Sequence, residues 1–106
     1  MEFQALVQRA LEVRQQYAEF EKREYGRPWT REEVVQGFVG DVGDLVKLAM
    51  AHSGIRNIPN AEQKLAHELA DCLWSILVLA ESYGVDIEQA FLQTMNELEQ
   101  SIASQV

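Results

Sequence analysis

The sequence predicts an all-α protein, and three observations carry that reading. Apolar residues recur at helical spacing along most of the chain. Glycine and proline are scarce, and turn signals cut the chain into four long segments. No β-branched run flanked by turn residues suggests a strand. The expected architecture is a four-helix bundle-type unit, one domain over residues 1–106, completed by homodimerisation.

The first helix is expected over about 2–24, where Phe3, Leu6, Val7, Ala10, Leu11, Tyr17 and Phe20 keep a helical rhythm. Tyr25-Gly26-Arg27-Pro28 breaks it. Thr30, with Glu33 three residues on, forms a capping box that opens the second helix, which runs to about Ala51. Ser53-Gly54 ends that helix, and Asn60 is read as the cap of a third, running to about Tyr83. Gly84 stops the third helix and Asp86 caps a fourth, reaching about Ala103. Tyr83 and Phe91 are expected to staple helices three and four across that turn.

Helix three is the informative one. From Leu69 to Ala80 only Asp71 and Ser75 are polar, so the helix is apolar nearly all round and calls for burial on every side. A small four-helix unit has few fully surrounded positions, and a second copy of the chain is expected to cover part of it.

Charge narrows the function classes. The net charge of −8, from 17 acidic and 9 basic residues, disfavours polymeric nucleic acid, whose binders need a basic patch. The one basic concentration, Lys22, Arg23, Arg27 and Arg31, is interrupted by Glu21, Glu24, Glu32 and Glu33. No apolar run is long enough to span a bilayer, and the N-terminus has neither a basic flank nor a continuous apolar stretch. A single cysteine, Cys72, excludes an internal disulfide framework and suits a cytoplasmic location.

Chemistry concentrates in GDVGDL, residues 40–45, and HELADCLW, residues 67–74. Asp41 and Asp44 are three apart, as are Glu68 and Asp71, so each pair shares one helix face. Both pairs sit among Val39, Val42, Leu45, Leu65, Leu69 and Trp74. Burying unpaired carboxylates in such surroundings costs several kcal/mol each. Nearby cations are few: Lys47 and Lys64, with His52 and His67. A hard divalent cation with all-oxygen ligands satisfies the cluster, Mg²⁺ first and Mn²⁺ as an alternative. Two other readings stand beside it, a wet polar seam and pairing with basic residues across an interface. A di-iron bundle is disfavoured, because no Glu precedes His52 or His67 by three residues.

Paired acids in GDVGDL, then HELADCLW, then LAESYGVDIEQAF (79–91) resemble the MazG-type all-α nucleoside triphosphate pyrophosphohydrolases. The resemblance spans roughly residues 29–92. It implies a Mg²⁺-dependent enzyme that cleaves a nucleoside triphosphate to monophosphate and pyrophosphate, working as a dimer or tetramer. It further implies that Asp41, Asp44, Glu68 and Asp71 are the metal-binding, catalytic acids. Gly40 stands where the family carries a leading Glu, and Asp41 and Asp44 are one methylene shorter than the usual Glu. Thr94 and Leu98 stand where the last helix usually presents a Lys and an Asn to the substrate. Gly37, Gly40 and Gly43 would let the two acidic helices draw together.

Four further residues are substrate-binding candidates. Lys47 and Arg56 offer point charges to a phosphate, Trp29 a ring to stack on a base, and Asn96 an amide near the expected register. Two of them have plainer readings: a counter-ion or snorkelling surface lysine for Lys47, and a hydrophobic staple or core anchor for Trp29. The alternative for the whole chain is a catalytically silent helical dimerisation module that keeps the acids for structure.

Overall fold

The computed structural model describes residues 2–105, and every regular element among them is helical. Helix α1 covers Phe3–Tyr25, α2 Arg31–His52, α3 Ala61–Ser82 and α4 Ile87–Ala103. Local chemistry sets most of these ends. Gly26, at φ 87°, takes the left-handed conformation that closes α1, its N–H donating to the Lys22 carbonyl. The capping box of α2 is complete: the Glu33 N–H donates to Thr30 Oγ1 at 3.2 Å, and the Thr30 N–H donates to Glu33 Oε1 at 2.9 Å. Asp86 Oδ1 accepts the Gln89 N–H at 3.1 Å and opens α4.

Asn60 departs from its expected role. It precedes α3 but adopts φ 57°, and its side chain makes no capping hydrogen bond. A side-chain cap needs extended backbone to aim its oxygen at the first turn, and the left-handed conformation removes that aim.

Helices α2 and α3 pack as an antiparallel hairpin, with Arg31 at the start of α2 donating to the Ser82 carbonyl at the end of α3, 3.0 Å away. Arg31 also lies over the Tyr83 ring at 4.2 Å, so Tyr83 pairs with the start of α2. Helix α1 crosses α3, anchored where Trp74 Nε1 donates to the Ala10 carbonyl at 2.9 Å and the Trp74 ring meets Tyr17. Gly37 is where α2 gives the Trp29 ring room. A Cβ there would meet the Trp29 ring at 3.0 Å, whereas Gly40 and Gly43 face open space and do not mediate helix approach.

The core is thin. Helix α3 supplies most of it, through Cys72, Leu77, Val78 and Ala80, joined by Ala10 and Leu48. Burial of α3 is one-sided within the chain: Leu69, Leu73 and Ile76 stay exposed. Helix α4 buries no residue, and its stripe of Phe91, Leu92, Met95, Leu98 and Ile102 faces outward. The radius of gyration is 16.9 Å, against about 13 Å for a compact chain of this length. Accessible surface is 8070 Å², where a compact monomer of this size exposes about 6000 Å². None of the described helices is long and apolar enough to cross a membrane.

Candidate metal centre

The α2–α3 hairpin brings its carboxylates together midway along its length. One oxygen each from Asp41, Asp44 and Glu68 lies within 4.8 Å of the others. Helical spacing places Asp41 and Asp44 on the face of α2 that meets α3, and antiparallel packing sets Glu68 opposite them. Glu68 and Asp41 are half-buried, and Asp44 opens to solvent. Glu68 Oε1 is buried and has no hydrogen-bond partner. Burial, then the neighbouring charge of Asp41, pushes the Glu68 carboxyl above its ordinary value, and Asp71 and Asp44 add to the effect.

Asp71, the fourth acid, takes a different partner. Its Oδ2 lies 3.2 Å from His67 Nε2, one turn back on α3. Cys72 beside it is buried, and burial raises its thiol, so it is unreactive packing.

The three converging groups fit a hard divalent ion. All donors are carboxylate oxygens, and oxygens around Mg²⁺ or Ca²⁺ stand at most about 4–5 Å apart. An orphaned, desolvated Glu68 oxygen is what such an ion would satisfy.

Two cavities flank the acids and differ in chemistry. The first, about 440 Å³, has walls of Tyr17, Phe20, Tyr25, Trp29 and Trp74, with Asp41 and Asp71 at its acidic end. The second, about 460 Å³, runs past Asp44 and Glu68 to Lys47, Asn60 and Lys64. His67 borders both. Of the four substrate candidates, Trp29 lines the first cavity and Lys47 the second, whereas Arg56 and Asn96 line neither.

Sequence reasoning missed the wall behind the aromatic cavity. Glu21, only 6% exposed, accepts a two-pronged bond from Arg14 at 2.9 and 3.0 Å. Its Oε1 also accepts the Trp29 N–H at 2.8 Å, tying the α1–α2 loop to α1. Burial raises the Glu21 carboxyl, but the Arg14 guanidinium and the Trp29 N–H outweigh it and hold the group below its ordinary value. The signal was a spacing of seven residues, two turns, which puts Arg14 and Glu21 on one helix face.

A helical hairpin with three converging carboxylates between an aromatic cavity and a polar, lysine-bordered one defines an all-α protein with a metal-compatible acidic centre. Residues 27–101 match the MazG nucleotide pyrophosphohydrolase domain, and the chain belongs to that family. No curated protein and no solved structure matches it.

Proposed function

We propose that this chain is a Mg²⁺-dependent pyrophosphohydrolase that converts a nucleoside triphosphate to its monophosphate and pyrophosphate. The observation that carries the reading is the buried, unpartnered Glu68 oxygen beside Asp41 and Asp44 within the family-matched segment. Asp41, Asp44 and Glu68 would hold the ion, and Asp71 joins them by exchanging its His67 contact. Mn²⁺ is an alternative occupant with the same ligand preference. Bound there, the ion supplies charge stabilisation and an acidified water.

The protein's own contribution is orientation. Trp29 and its aromatic neighbours offer a base a stacking surface, fixed from behind by Glu21. Lys47 presents a point charge to the phosphates. Water adds across the phosphoanhydride between the α and β phosphates, and pyrophosphate departs. Arg56 and Asn96 line neither of these two cavities, and a substrate role for either would be exercised from a second copy of the chain.

That second copy is part of the proposal. A helix with every side chain outside the core is marginal in water, and α4 is such a helix. The excess surface and the exposed α3 and α4 stripes support a homo-oligomer, a dimer or a tetramer. We place it in the cytoplasm, as one domain, with a nucleotide rather than a nucleic acid or a membrane as its partner.

Gly40, Thr94 and Leu98 favour a second reading, a catalytically silent module that keeps the acids for structure. Pyrophosphate release from a panel of ribo- and deoxyribonucleoside triphosphates with Mg²⁺ separates the two. Release that disappears in Asp41→Asn and Glu68→Gln supports the hydrolase. Mg²⁺-dependent thermal stabilisation without turnover of any nucleotide supports the silent module.

A further inference from the structure

Cations are unevenly placed along this acidic chain. Beyond Arg31 the sequence has three, Lys47, Arg56 and Lys64, and two of them border one cavity. Lys47 lies three residues past Asp44 on α2, and Lys64 four residues before Glu68 on α3. Antiparallel packing therefore brings both lysines to the same end of the acidic centre. Neither makes an ion pair within 4.0 Å among the described residues. Two exposed ammonium groups stand free beside three carboxylates, with a cavity of about 460 Å³ between the helices to hold a polar guest. Asn60 borders that cavity with its amide released from capping.

We propose that this cavity is the pyrophosphate subsite, with Lys47 and Lys64 as its paired cationic contacts and Asn60 as a hydrogen-bond donor. The assignment gives the substrate a direction. Its base lies toward Trp29 and Trp74 on the Asp41 side, and its β and γ phosphates lie toward Lys47 and Lys64 on the Asp44 side. Only a guest with an apolar planar end and a polyanionic end matches both cavities with the acids between them. The direction rests on the nucleotide reading above, whereas the anion subsite can be tested without any nucleotide.

The test is calorimetric titration of inorganic pyrophosphate into the full chain at fixed Mg²⁺, with Lys47→Gln, Lys64→Gln and Arg9→Gln. Both lysines are exposed, so the variants should keep the parent's circular dichroism. Each lysine variant is expected to weaken binding by about tenfold or more, as for a charge-assisted hydrogen bond to phosphate. Arg9→Gln removes one charge from the exposed face of α1, where Arg9 pairs with Glu12, and should change nothing. No binding to the parent chain overturns the subsite. So does unchanged affinity in both lysine variants, or an equal loss in Arg9→Gln. Nucleotide cleavage by the parent with pyrophosphate binding indifferent to the lysines overturns the subsite alone. Lysine-dependent binding without cleavage of any nucleotide keeps the subsite and overturns the hydrolase.

Discussion

Replacing Glu21 with Gln tests the wall of the aromatic cavity. The side chains of Arg14 and Glu21 are 17% and 8% exposed, close to the buried limit for an ion pair. Breaking a fully buried pair costs about 3–5 kcal/mol, and an exposed one less than about 1 kcal/mol. Gln keeps a carbonyl for the Trp29 N–H but turns an amide donor toward the Arg14 fork, leaving a mostly desolvated guanidinium half-satisfied. The expected loss is about 2–3 kcal/mol, between the two limits and nearer the buried one. Urea unfolding at neutral pH and fixed protein concentration measures it, since the stability of the proposed oligomer would depend on concentration. A cycle with Arg14→Met should give a coupling of about 1.5–3 kcal/mol. A loss below about 0.5 kcal/mol with negligible coupling would refute the reasoning. The fork would then be an ordinary surface pair, and Trp29 would be held by other contacts.

Three further outcomes are expected. Glu33 is held down to about 2 by Arg27, at 2.6 Å, and by the Thr30 N–H, below its ordinary 4.5. Its contribution is complete above about 4.5 and is lost as pH falls through about 2. Wild type should therefore lose more stability across that window than Glu33→Gln, and salt should shrink the difference, as read by acid titration of circular dichroism. Glu68→Gln removes a half-buried charge crowded by Asp41, Asp71 and Asp44, so the metal-free chain should gain stability on the order of 1 kcal/mol, while the Mg²⁺-induced rise in melting temperature vanishes. Leu98→Glu puts a charge into the exposed α4 stripe and should convert the proposed oligomer to monomer in light scattering, with little effect on the α2–α3 hairpin.

What the sequence by itself determined was local. Thr30 with Glu33, Gly26, Gly84 and Asp86 place helix ends because a cap involves residues within one turn of each other. The spacing that sets Asp41 and Asp44, and Glu68 and Asp71, on one helix face each was legible for the same reason, as was the family resemblance those motifs carry. Contacts between helices were not legible, because they depend on register and crossing set by the packing of distant residues. That packing put Glu68 against Asp41 and Asp44, and left Asp71 beside His67. It gave Gly37 the work of admitting Trp29 and left Gly40 and Gly43 in open space. The left-handed conformation at Asn60, which removes its expected capping role, was likewise not read from the sequence. The same antiparallel register raised the aromatic wall on one side of the acids and gathered Lys47 and Lys64 on the other. Residues 17 positions apart in sequence became neighbours because the hairpin folds α3 back along α2.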